Sequence, residues 1–214
     1  MEMAAVGKKM TGEDLIGAGM FNEEVRRLLV EYGKRSASVI FVGAPGSGKT
    51  TILDWFIEEA YMPSDKIFVV QEYDELSALR DGVTFGHPAS LCREGNGDTF
   101  PSGCACGPDV IVIGEAKSTS FCNALLHSGS GRRIASTVQA LSAADAVDRM
   151  TSLVMSGSHG ITYSQAKNAV CSLQTIVYME NFKVQEIIEI TGYDDERDEA
   201  VFRTVYQNPG TAEE

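Results

Sequence analysis

No apolar run in this chain approaches the roughly 20 residues needed to cross a bilayer. The opening stretch, MEMAAVGKKM, lacks the apolar core of a signal peptide. Basic residues are also scarce, with 18 Lys and Arg against 30 Asp and Glu and a net charge of −12. No run of Lys or Arg offsets that deficit, so broad attraction to nucleic acid or anionic lipid is not expected. The five cysteines are odd in number, which argues against a complete disulfide framework and for reduced thiols in a cytoplasm.

What is present reads as one folded domain. At 214 residues, 43% hydrophobic and 22% charged, the chain can bury a sizeable core and is not of disordered composition. Two short helical patterns come first. TGEDLIGAG carries a capping signature in Thr11 and Asp14, and NEEVRRLLVEYG follows Asn22 with Val25, Leu28 and Leu29 on one face. The apolar run SVIFVG then predicts a buried strand. It leads into VGAPGSGKTT, Val42 to Thr51, and a helix in which Ile52, Trp55, Phe56 and Glu59 share a face.

Further along, KIFVVQE predicts a second strand with Glu72, Asp74 and Glu75 just beyond its end. Asp81 to Pro108 is glycine-rich and reads as irregular. DVIVIGE, bracketed by Asp109 and Glu115, is a third strand, and RIASTVQA a fourth ending in polar residues. Ser142 with Asp145 predicts a helix to about Met155, and Thr162 with Gln165 another to about Leu173. TIVYMENFKVQEIIEI reads as an antiparallel hairpin turning at Asn181. The remaining residues, 195–214, read as an acidic, flexible tail behind a domain spanning 37–194, with 1–36 as lead-in helices. Alternating strands and helices imply an α/β fold with a largely parallel central sheet. Ligands of such sheets sit at the carboxyl ends of the strands, so the glycine loop, Glu75, Glu115 and Gln139 should converge on one edge.

Gly43, Gly48, Lys49 and Thr50 fit G-x-x-x-x-G-K-[ST] between a strand and a helix, the context this phosphate-binding motif requires. Its glycines let consecutive backbone N–H groups turn toward phosphate while the following helix dipole adds favourable charge. Gly43, Ala44, Pro45, Gly46, Ser47, Gly48, Lys49, Thr50 and Thr51 are therefore the expected nucleotide-binding residues. Lys49 would reach the β- and γ-phosphates of ATP, and the Thr50 hydroxyl would ligate Mg²⁺. Glu115, closing an apolar strand, stands where such proteins hold a Mg²⁺-facing carboxylate. Glu75 could polarise an attacking water, although three acids within four residues also fit a solvated turn.

Two weaker groupings point nowhere decisive. His87, Cys92, Cys104 and Cys106 could in principle hold Zn²⁺, but C-x-C is not the usual knuckle, and ordinary thiols with no bound zinc are expected. Arg132 and Arg133 could serve a neighbouring subunit's phosphate, against the simpler reading of solvated surface arginines. His127 and His159 have no evident partners.

Taken in order, several stretches resemble the C-terminal ATPase domain of the secretion (traffic) ATPases, which power type II and type IV secretion and pilus assembly. GAPGSGKTT is similar to the family's loop, VVQEYDEL to its acidic box and PDVIVIGEAKS to its Walker B segment. ASTVQALSAADAVDRM is similar to its histidine box and IVYMENFKVQEIIEI to its closing strands. The similarity runs from about Met10 to about Thr191 and looks closest to the tight-adherence pilus branch. It implies a P-loop NTPase with a RecA-like sheet flanked by helices and a C-terminal antiparallel hairpin.

The resemblance further implies an ATPase in which Lys49, Glu75 and Glu115 are catalytic and Thr50 and Glu115 hold Mg²⁺. The full-length protein would be a homo-hexamer on membrane-embedded machinery, at the cytoplasmic face of the inner membrane, with no direct nucleic-acid contact. Gln139 stands where the family has its box histidine, and Lys117 where an arginine follows Walker B. Both are candidate sensors, and lysine lacks the bidentate fork of arginine. Fewer than forty residues precede the loop's strand, so the family's N-terminal domain is expected either to lie outside this sequence or to be missing from a reduced member. Two other readings remain at this point: a module that binds nucleotide with impaired hydrolysis, and a small P-loop kinase.

Overall fold

Thr11 and Asp14 form a reciprocal capping box that starts α1 (Gly12–Gly17), and the Asn22 side chain accepts from Val25 N–H to start α2 (Glu23–Lys34). Both ends match the sequence signatures, because capping is a local contest for a helix's orphan N–H groups. The computed structural model describes residues 9–35, 37–87, 107–117, 120–122, 124–125, 131–157, 160–194 and 196–211.

The strands are β1 (Val39–Gly43), β2 (Ile67–Val70), β3 (Val83–Gly86), β4 (Val110–Ile113), β5 (Arg133–Val138), β6 (Thr175–Glu180), β7 (Lys183–Asp194) and β8 (Glu199–Gln207). Together they form one eight-stranded sheet in the order β3-β2-β4-β5-β1-β6-β7-β8. Pairing is parallel from β3 through β6 and antiparallel from β6 to β8. Further α-helices among the described residues include α3 (Lys49–Glu59), α4 (Ala143–Gly157) and α5 (Tyr163–Cys171).

Successive strand residues point to opposite faces, and here both faces are covered. Val39 and Phe41 join the core under α1, α2 and α3, while Ile40 and Val42 join the core under α4 and α5. A strand buried on two sides must be apolar at every position, which is why β1, β2 and β4 read as unbroken apolar runs. On the α3 face, Phe41 meets Phe56 edge-on at 5.4 Å and Phe21 lies against Trp55 at 4.9 Å. The parallel order places the carboxyl ends of β2, β4, β5 and β1 on one edge, with the first βα connection at the centre.

Two expectations require correction. The region read as irregular from Asp81 contains β3, which adds to the open edge of β2 from Ile67↔Val83 to Val70↔Gly86. The tail expected to be flexible contains β8, paired along β7 from Glu186↔Gln207 to Asp194↔Glu199. Neither strand has a strong pattern of its own. β3 has four residues, none of them buried, and β8 is mostly exposed. Each is recruited by an adjacent edge whose backbone N–H and C=O groups would otherwise lack partners.

Candidate active site

The glycine loop joins β1 to α3, and its geometry leaves no room for side chains at key points. A Cβ on Gly43 would lie 2.2 Å from the Met179 carbonyl oxygen and 2.6 Å from Ser47 Oγ. Gly48 has φ +93°, a conformation that L side chains rarely adopt. It also serves as N-cap of α3 without any side-chain hydrogen bond. This differs from α1, α2 and α5, whose first turns are capped by Thr11, Asn22 and Thr162. The first N–H groups of α3 thus have no capping side chain, and a helix start of that kind attracts anions.

Lys49 is the first residue of α3 and only 8% exposed. Its Nζ donates to the Ala44 carbonyl at 2.7 Å and to Ser47 Oγ at 3.5 Å. Burial lowers the pKa of this ammonium, an effect partly opposed by the charge of Glu115. Lys49 is therefore not a surface charge. It is a desolvated cation folded into the loop, and a desolvated cation gains more from an arriving phosphate than a hydrated one does.

The acidic segment after β2 is held in shape by residues that the sequence reading passed over. Leu76 N–H donates to Gln71 Oε1 at 2.9 Å, and Gln71 Nε2 donates back to the Leu76 carbonyl at 3.2 Å. One amide thereby closes the excursion that contains Glu72, Asp74 and Glu75. Next along the chain, Ser77 N–H donates to Asp54 Oδ1 on α3 at 2.9 Å. These two anchors bracket Glu75 and tie it to the helix that begins at Lys49.

Glu75 faces two adjoining clefts. In one, of about 30 Å³, it is joined by Glu72, Tyr73, Glu115, Lys117 and Ser120. That volume accommodates roughly one ordered water. In the other, of about 240 Å³, it is joined by Thr50, Thr51, Asp54 and Ser77. Glu115 accepts from Gln139 Nε2 at 2.7 Å, so the exits of β4 and β5 are linked. Lys117 forms an ion pair with Glu72 and lies 6.0 Å from the Tyr73 ring centre. The hydrogen bond with Glu72 is the main reason its pKa is raised.

The arrangement brings Lys49, Thr50, Glu75, Glu115, Gln139 and Lys117 to one edge of the sheet, as the strand order requires. On the other face of that edge, Arg149 of α4 shares a cleft of about 390 Å³ with Glu115, Lys117 and Gln139. It was missed because nothing in the helical pattern separates it from other exposed positions. Arg133 does not belong to the site. It lies at the opposite end of β5, donates from Nη2 to Asp65 at 2.6 Å and from Nη1 to the Gly33 carbonyl at 2.8 Å, and stacks on Tyr61. Arg132, beside it, donates to the Pro108 carbonyl at 3.2 Å. Cys92, Cys104, Cys106, His127 and His159 lie outside the described residues.

A parallel sheet that feeds a glycine loop into an uncapped helix, with carboxylates on neighbouring strand exits, is the P-loop class of nucleotide-binding fold. The chain belongs to the type II/IV secretion system protein family, whose model matches residues 3–180. No curated protein matches its sequence. Among solved structures it is similar to the VirB11 ATPase from the Brucella suis type IV secretion system in complex with sulphate. That match has 15% identity and a TM-score of 0.56, covering 96% of this chain and 58% of that one. It is also similar to the ATPase DotB of Legionella pneumophila, with 16% identity and a TM-score of 0.51 over 83% of this chain and 47% of that one. At these identities the likeness is one of fold. The chain thus spans about half to three-fifths of the length of those two proteins.

Proposed function

We propose that this chain is the ATP-binding and ATP-hydrolysing motor domain of a secretion or pilus-assembly system. The observation that carries the reading is the position of Glu75. It lines both the groove beside Thr50 and the water-sized cleft that contains Glu115. Phosphates would occupy the uncapped start of α3, where Lys49 exchanges its contact with the Ala44 carbonyl for the β- and γ-phosphates.

Glu75 would orient a water in line with the γ-phosphorus and accept its proton. The new P–O bond forms as the bridging bond to ADP breaks, and phosphate leaves with the water's oxygen. The donors at hand are hydroxyl and carboxylate oxygens, Thr50 Oγ1 and Glu115, which suit a hard divalent cation. Mg²⁺ held by Thr50 and, through water, by Glu115 would neutralise charge on the phosphates. Gln139 and Lys117 would act as sensors, with Gln139 fixing the Glu115 carboxylate and Lys117 linking the β2 and β4 exits through Glu72.

As a working unit we infer a homo-hexamer of a longer protein, acting on membrane-embedded machinery from the cytoplasmic side. Family membership supports this, and among the described residues no helix is long and apolar enough to cross a membrane. A site that binds nucleotide without turning it over is the second reading, favoured by the neutral amide of Gln139 on Glu115. Single-turnover hydrolysis of radiolabelled ATP with Mg²⁺ separates the two. Phosphate release by the parent that slows by about 10²-fold or more in Glu75→Gln supports the motor reading, and tight binding without release by the parent supports the other.

A further inference from the structure

The turn between β6 and β7 consists of Asn181 and Phe182, with φ of 50° and 61°. A two-residue hairpin turn with both φ values positive favours Asn at its first position and Gly at its second. Phenylalanine there is a backbone outlier for a bulky residue. Such outliers persist where the surroundings hold them, and they concentrate at binding sites. This ring is not in the core, since Phe182 is 56% exposed.

Its position is specific. β6 pairs with β1 in parallel from Val39↔Thr175 to Gly43↔Met179, so the turn emerges beside the glycine loop. A Cβ built on Gly48 would lie 3.0 Å from Phe182 Cδ1 and 3.0 Å from Met20 Cε. Met20 is itself tied to the hairpin, because Val184 N–H donates to its carbonyl at 2.8 Å. An exposed aromatic ring, backed by a buried thioether, therefore stands against the residue that caps α3. Glu75 and Glu115 are on the other side of the loop, toward β4 and β2.

We propose that Phe182, supported by Met20, is the stacking platform for the base of the bound nucleotide. This rests on the glycine loop holding phosphates, as argued above. With the phosphates at the start of α3 and the γ-phosphate toward Glu75, the remainder of the nucleotide extends away from the acidic exits. The ring of Phe182 offers that end a flat apolar face with no hydrogen-bonding group. Stacking of this type tolerates any base, so Phe182 sets affinity for nucleosides over bare phosphates rather than choice among bases.

The test uses Phe182→Gly, which suits the turn's backbone, and Phe182→Trp, which retains a ring. Binding of ATP, ADP, GTP and inorganic tripolyphosphate is measured by calorimetry on the 214-residue chain. Phe182→Gly should weaken ATP, ADP and GTP by about 5- to 100-fold while tripolyphosphate binds within about twofold of the parent. Phe182→Trp should retain parental nucleotide affinity. Unchanged nucleotide affinity in Phe182→Gly overturns the platform. An equal loss for tripolyphosphate also overturns it, by showing that the ring only supports the loop. If the parent chain binds neither ATP nor tripolyphosphate, the phosphate-loop reading fails and this inference falls with it.

Discussion

Gln139 Nε2 donates to Glu115 Oε1 at 2.7 Å, joining the exits of β5 and β4 at the middle of the carboxyl edge. The bond leaves one carboxylate oxygen of Glu115 unclaimed by Gln139, and it restrains the group's orientation. Groups that orient a metal-side carboxylate in this way typically matter by about 10- to 100-fold. Gln139→Ala should therefore lower Mg²⁺-dependent turnover by that order while ATP binding without metal is preserved. Gln139→His should keep turnover and acquire a pH dependence near 6.5 that the parent lacks, since imidazole titrates there and an amide does not. Steady-state rates between pH 5.5 and 8 make the comparison.

Lys49→Ala should abolish measurable ATP binding with little loss of stability. The substitution removes a cation whose burial already opposes its charge, so the fold gives up the hydrogen bonds to Ala44 and Ser47 and sheds a desolvation cost. Calorimetric titration and a thermal melt decide it. ATP bound as tightly as by the parent would remove the loop from the mechanism.

Glu75→Gln should bind MgATP about as tightly as the parent and turn it over about 10²- to 10⁴-fold more slowly, the range for loss of a general base. Asp74→Asn should be near neutral. Glu72→Gln should have a milder effect because Glu72 is engaged by Lys117 rather than directed at a water. Should Asp74→Asn be the crippled variant while Glu75→Gln is fully active, the assignment within the acidic segment is wrong.

Arg133→Ala should destabilise the fold by about 3–5 kcal/mol, the usual cost of stranding one partner of a buried ion pair. Among the described residues, the Asp65 carboxylate would retain its contact with Met62 N–H at 2.8 Å. Urea denaturation gives the value. ATP affinity should be unchanged, because Arg133 sits at the opposite end of β5 from Gln139.

Tyr32 Oη donates to Glu189 at 2.8 Å, and Arg203 pairs with the same carboxylate. Burial alone would raise the pKa of Glu189, but the hydrogen bonds from Arg203 and Tyr32 outweigh it and hold the group below its ordinary value. A depressed carboxylate contributes stability above the unfolded value and loses it as pH falls through the folded one. Glu189→Gln should cost on the order of 1 kcal/mol or less at pH 7. The difference from the parent should shrink as pH falls below the ordinary glutamate value of about 4.3. Denaturation curves at pH 7, 5 and 3.5 test the trend.

Local rules make much of this protein legible in its sequence. Thr11 with Asp14 and Thr162 with Gln165 are capping boxes because the competing partners lie within one helical turn. β1, β2 and β4 stand out because burial on two faces demands apolar residues throughout. The glycine loop is recognisable because only glycine tolerates its close approaches and left-handed backbone. Strand order was a different matter. Which exits adjoin the loop depends on pairing between strands far apart in sequence, and β3 and β8 exist because an edge recruits them. Tertiary structure alone placed Arg133 away from the site and set Phe182 against Gly48. Each of these depends on which backbone passes nearby, and no periodicity or spacing within a single segment encodes that.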